Sequence, residues 1–287
     1  KIEGNSLFPG GNGGTDAFAQ AAILNLYDPD RAHRHTHGGN DAKIEAVRDA
    51  LSAVAKAAAG NQGQGLAFLA ERSSSPSRAR LQKLIAEKYP KSTWHAYEPV
   101  DFSAADTAYS QACGTPVHAV VHLEKARRIL SLDCDFIGSE QDAFRNIRGF
   151  ALGRKSADKG MNRLYVVESI MTLTGGNADH RLRIKPSEVV KVAAAVAAEL
   201  GVSGIASPSG AHAAWVSAVV KDLKEAGKGA LAVAGYAQPP AVHALAAAIN
   251  AALGVIGSTV TLVEPTEPVV SSLGELTTSL AAGAVST

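Results

Sequence analysis

The 287-residue chain is long enough for two domains of ordinary size, and 46% hydrophobic against 19% charged residues excludes a disordered polyelectrolyte. Its 28 basic and 27 acidic residues leave a formal charge of +1, which gives no footprint for nucleic acid or an anionic membrane surface. Two cysteines, Cys113 and Cys134, exclude a disulfide framework and an iron–sulfur cluster held by four thiolates of this chain alone. With aromatics at only 5%, the core is built from Ala, Val and Leu, which suits helices packed closely on parallel strands and predicts an α/β fold with doubly wound, mostly parallel sheets.

The opening residues, with Pro9 and a Gly-rich run to Gly14, read as an irregular lead-in. A helix is predicted from Asp16 to Tyr27, ended by the Asp28-Pro29-Asp30 turn. His33, His35 and His37 then alternate; an extended segment puts them on one face, where they form either a modest divalent-metal site or a solvated loop. Ile44, Val47, Leu51 and Val54 recur at helical spacing, and Gly60 stops that helix. GLAFLA (Gly65 to Ala70) predicts a strand. The serine loop Ser73-Ser74-Ser75 and a helix from Ser77 to Tyr89 follow, either an anion site at free backbone N–H groups or ordinary N-capping.

TWHAY (Thr93 to Tyr97) predicts a second strand, and ILSLDCDFI (Ile129 to Ile137) the strongest strand of the first half. Cys113 lies between them in QACGTP, a soft thiolate ligand or a small buried hydrophobe. Asp133 and Asp135 suggest a cation site, an acid/base pair or a solvated strand end. A charged helix or loop spans Gln141 to Lys155. The stretch from Leu164 to Glu188 combines a buried apolar strand, Glu168 at its end, the Thr172-to-Gly176 loop, Ala178-Asp179 and a Pro186-led helix. Ligands of doubly wound sheets bind at such strand ends. Further helices are predicted from Ser187 to Leu200, from Ala211 to Ala226 after the Ser207-Pro208-Ser209 break, and from Ala241 to Leu253. GALAVAG and Gly257 to Val263 supply strands, and Leu273, Leu276 and Leu280 share a helical stripe in the tail. The domain reading is a lead-in over 1–40, one α/β domain over 41–186 and a second over 187–287. The start without Met and the end at Thr287 are read as those of a piece of a longer chain. No P-loop, HExxH, GxSxG or GxGxxG pattern is present, and Lys191 and Glu199 interrupt the best candidate for a membrane span.

The order KIEGN, LYDPDR, LSLDCDF, and then strand, Glu168, Thr172-x-Thr174, Ala178-Asp179 and Lys185-Pro186-Ser187-Glu188 resembles the molybdopterin oxidoreductases of the dimethylsulfoxide reductase superfamily. Within it, the chain is most similar to the molybdopterin-like domain of the large iron–sulfur subunit of alternative complex III. For that superfamily the resemblance implies a molybdopterin guanine dinucleotide cofactor. Ser73, Ser74, Ser75, Glu168, Thr172, Thr174 and Gly175 stand where its nucleotide arms are held, and Cys113 where the metal's protein ligand sits. The Asp-Pro-Arg of that family is replaced here by Glu168-Ser169-Ile170. The leading expectation is therefore a domain that has kept the fold without the cofactor. It would be a structural part of a membrane-attached quinol:acceptor electron-transfer complex on the periplasmic or extracytoplasmic face, with other subunits as partners and iron–sulfur clusters elsewhere in the parent chain. Two alternatives stay open: an active molybdenum oxidoreductase with Cys113 as ligand, and a generic α/β domain that binds a nucleotide or anion.

Overall fold

The computed structural model describes residues 2–8, 11, 13–155, 160–206, 212–265 and 270–286; Pro9 and the Ser207-to-Ser209 break lie outside them. In chain order the lead-in gives a short helix α1 (Ala17–Ala21) continued as a 3-10 turn over Ala22–Leu26. Asp16 caps α1 by accepting from the Ala19 N–H. The His-rich segment is a hairpin of β1 (His35–His37) and β2 (Asn40–Ala42), exposed along β1. Next come α2 (Ile44–Gly60), β3 (Ala67–Ala70), α3 (Pro76–Lys88) and β4 (Thr93–Ala96). They are followed by α4 (Ala104–Cys113), β5 (His118–Val121), β6 (Arg128–Leu132), α5 (Ala143–Arg154), β7 (Arg163–Glu168), α6 (Leu173–Gly176) and β8 (His180–Arg183). The chain then forms α7 (Val189–Glu199), α8 (Ala213–Ala226), β9 (Ala230–Ala234), α9 (Pro240–Ala252), β10 (Val260–Val263), β11 (Ser271–Ser272) and α10 (Leu273–Ala281).

The fold is α/β, as composition predicted, but its division differs from the expected one. The compact units are Lys1–Tyr27 with Asp101–Glu264, and Asp28–Val100 with Pro265–Thr287. A boundary at 186/187 would cut one sheet, because β6 pairs in parallel both with β7 before that point and with β9 after it. The tail belongs to the smaller unit for the same kind of reason. There β11 pairs in parallel with β4, and the His95 ring nitrogens sit 3.1 Å from the Ser272 carbonyl and 3.0 Å from Thr93 Oγ1. Of the expected tail stripe, Leu276 is buried while Leu280 is exposed.

In the smaller unit β3 and β4 run parallel, and Phe68 stacks on its register partner Trp94 with ring centroids 4.3 Å apart. Its core is small, Ala58, Leu66 and Tyr89 with Val54, Phe68 and Ile85 against them. The larger unit has the order β8-β7-β6-β9, all parallel. The apolar runs of β6 and β7 occupy the middle, buried on both faces, while β8, HRLR, takes an edge where Arg183 reaches solvent. Valines and alanines of α7 and α9 pack together, small enough for close helix approach. Below the sheet's N-terminal edge, Asp222 Oδ2 accepts from Arg128 Nε at 3.0 Å, from Tyr165 Oη at 2.6 Å and from Arg163.

Two sequence readings are corrected here. The strand expected over Ile129 to Ile137 ends at Leu132, because Asp133 turns the chain with φ +55°. A strand not expected, β5, follows QACGTP and pairs antiparallel with β10. His118–Val121 is too short to show a period, and it is selected by its partner.

Candidate functional site

The order β8-β7-β6-β9 makes a topological switch point between β6 and β9. From β6 the chain winds outward through β7 and β8, then returns to the other side of β6 as β9. In open parallel sheets the crevice beyond the strand ends at that point is the usual ligand position, because the two connections diverge there. The crevice holds the loops after β6 (Asp133 to Glu140) and after β9 (Gly235 to Gln238). They approach closely: the Gly235 N–H donates to the Leu132 carbonyl at 3.0 Å, and a Cβ on Gly235 would collide with the Asp133 carbonyl oxygen. Gln238 Nε2 donates to Asp133 Oδ2 at 2.7 Å, and the Tyr236 N–H reaches Glu140 Oε1 at 3.1 Å.

Beside these loops the larger unit contains a cavity of about 140 Å³. Its walls come from α4, β5, the β6 and β9 ends, α5 and α9, with Phe102, Tyr109, Phe136, Val233 and Tyr236 among the apolar lining. Its ionisable groups are unequal. Burial, reinforced by Asp135 and Asp133 and opposed by the Tyr236 N–H, pushes the Glu140 carboxyl up to about 7. His118 Nδ1 lies 2.7 Å from Asp106 Oδ2, and this hydrogen bond raises the imidazole's pKa despite partial burial. Burial pushes the Tyr109 phenol up to about 12, although Asn250 donates to its oxygen at 2.8 Å. Burial also lowers the pKa of His243, opposed by the nearby Gln238 and Gly235 backbone. His243 is 4% exposed, and its Nε2 has no hydrogen-bond partner among the described residues.

The residues singled out by sequence are arranged differently. Glu168, 1% exposed, accepts from Arg181 Nε and from Thr172 Oγ1 at 2.7 Å. Thr172 Oγ1 in turn accepts from the Gly175 N–H at 2.9 Å, and a Cβ on Gly175 would run into the Glu168 carboxylate. Fully buried Thr174 donates through Oγ1 to Asp135 Oδ1 at 2.8 Å and accepts from the Ile137 N–H at 3.1 Å. Asp133 and Asp135, both partly exposed after β6, each bond within the chain: Asp133 accepts from Gln238 Nε2, and Asp135 accepts from the Thr174 N–H at the start of α6. Cys134 is buried, and burial pushes its thiol well up.

In the smaller unit Ser73 Oγ accepts from the Ser75 N–H at 3.2 Å and Ser75 Oγ caps α3 at the Arg78 N–H, 3.4 Å, while Ser74 is exposed. Cys113 ends α4, exposed. Among the described residues no three His, Cys, Asp or Glu side chains converge on a possible metal position, and His35 and His37 belong to no such group. The carboxylate and hydroxyls of Glu168, Thr172 and Thr174 already bond within the chain, and Gly175 packs against the carboxylate.

Sequence reasoning missed Glu140, His118, Asp106 and His243. One faint signal existed: His243 interrupts the otherwise apolar helix AVHALAAAI directly after Gln238-Pro239-Pro240. No family model matches the chain, and no curated protein matches it.

Proposed function

We propose that this chain is a molybdopterin-oxidoreductase-like domain that holds no pterin and acts as a structural part of a membrane-attached quinol:acceptor electron-transfer complex. The reading joins the order of sequence motifs to one observation: at the strand end where the family's nucleotide lies, the Glu168 carboxylate accepts from Arg181 Nε and the Thr172 hydroxyl and has Gly175 packed against it. Residues that bond to one another fix β7, α6 and β8 in place and leave few groups for a guanosine. In this reading the domain's partners are other subunits of the complex at the extracytoplasmic face, and the electron-carrying clusters lie outside it. Elemental analysis of the protein purified with its complex from the native host tests both halves. The expected result is co-purification with membrane subunits and no stoichiometric molybdenum; one molybdenum per chain would overturn it.

A second reading, a nucleotide- or anion-binding α/β domain, draws on the smaller unit. There a pocket of about 20 Å³ at the ends of β3 and β4 is lined by Ser73, Arg72, Arg78, Gln82 and Trp94 beside the start of α3. Thermal shifts across a nucleotide panel test it, and a response to none would remove it.

A further inference from the structure

The β1–β2 hairpin carries two histidines whose rings the fold does not use. Gly38 and Gly39 turn it with φ +56° and +82°, as a tight two-residue turn requires, and the register sets His35 opposite Ala42, Thr36 opposite Asp41 and His37 opposite Asn40. Side chains alternate across a strand, so His35, His37, Asn40 and Ala42 share one face and Thr36 and Asp41 the other. The ion pair between Arg34 and Asp41, 2.8 Å long, belongs to that other face and holds the hairpin's one carboxylate away from the histidines. His35 and His37 are exposed, and neither ring makes a hydrogen bond or ion pair among the described residues. Two rises of about 3.4 Å separate them by about 6.8 Å along the strand. Both rings leave the backbone on the same side, so they can reach one ion at the usual metal–nitrogen distance of about 2.0 Å.

The donor set selects the metal. No third His, Cys, Asp or Glu joins the pair among the described residues, so the chain supplies two imidazoles and water fills the other positions. A closed structural zinc site needs four protein ligands. Calcium and magnesium take oxygen ligands, and this face of the hairpin carries no carboxylate. Copper(II) suits the pair: its tetragonal geometry accepts two adjacent nitrogens with water in the remaining plane, and it stands highest in the affinity order of the divalent first-row metals. The ladder already holds the backbone extended, so binding orders only two side chains.

We propose that the His35–His37 face of this hairpin is a two-imidazole copper(II) site. The proposal does not rest on the reading of the chain as a respiratory-complex domain. The test adds one equivalent of copper(II) to the whole chain near neutral pH, records electron paramagnetic resonance spectra, and measures affinity by competition with a chelator. The wild type is expected to show nitrogen couplings from two equatorial imidazoles. His35→Ala and His37→Ala should each lose that pattern and bind at least roughly hundredfold more weakly, because a single ligand has lost its chelating partner. H33A should keep both pattern and affinity, since His33 precedes the strand. All these positions are exposed, so the variants keep the fold. The deciding variant is H35A/T36H, which preserves the number of histidines but sets the two on opposite faces; it should bind as weakly as H35A. A spectrum unchanged by H35A, wild-type affinity in H35A/T36H, equal weakening in H33A, or only weak uptake shared among scattered histidines would each overturn the proposal.

Discussion

Glu168→Ala removes the acceptor of a buried charge pair and leaves the Arg181 guanidinium, the Thr172 hydroxyl and the end of β7 without their common partner. Breaking such a pair from one side costs about 3–5 kcal/mol, because the remaining charge stays partly buried. The larger unit then unfolds at lower urea by about 2 M, taking a slope of roughly 2 kcal/mol per M. The two units need separate reporters, since independent transitions would violate a two-state treatment. The chain has two tryptophans, Trp94 in the smaller unit and Trp215 in the larger, where Trp215 meets the Tyr165 ring edge-on. In a W94F background Trp215 fluorescence follows the larger unit alone. E168A and R181A should each destabilise, and E168A/R181A should cost clearly less than their sum. A loss under about 1 kcal/mol for E168A would refute the assignment, since a solvated carboxylate free for ligand chemistry would behave in that way.

Three further outcomes follow from the same geometry. Gly175→Ala drives its Cβ into the Glu168 carboxylate and should destabilise by about 1–3 kcal/mol, whereas Gly176→Ala meets no atom and should be neutral or slightly stabilising; equal urea midpoints would contradict this packing. Glu140, raised to about 7 from the ordinary 4.5, binds its proton more tightly when folded. Its contribution is therefore complete below about pH 4.5 and is lost as pH rises through about 7, by at most about 3 kcal/mol, so E140Q should flatten that part of the stability profile. An unchanged pH slope in E140Q would refute the buried-acid reading. Asp106→Asn should lower the pH at which His118 titrates by NMR, because the Asp106 hydrogen bond is the largest cause of its raised pKa; an unmoved titration would refute that pairing.

Periodicity and apolar runs placed most elements, because helices such as α2, α7 and α9 and strands such as β7 and β9 carry their burial pattern within a few consecutive residues. The α/β class was legible for the same reason. Glu168, Thr172, Thr174 and Gly175 were recognised as belonging together, yet their sequence suggested a surface for a nucleotide. The tertiary structure instead gives Glu168 the side chain of Arg181 across from β8 and gives Thr174 the carboxylate of Asp135 from the β6 loop. Polar side chains declare their chemistry in sequence but not their partners, and a buried carboxylate is defined by its partners.

By itself, then, the sequence determined the class and most of the helices and strands. Tertiary structure decided the rest. It set β9 beside β6 across a long sequence separation, joined the last strand and helix to the smaller unit, and paired β5 with β10. It also brought His243 to the cavity that Phe102, Tyr109 and Phe136 line. Each of these depends on which strand edges and helix faces meet after collapse, a choice made by complementary burial over the whole chain and by no local period.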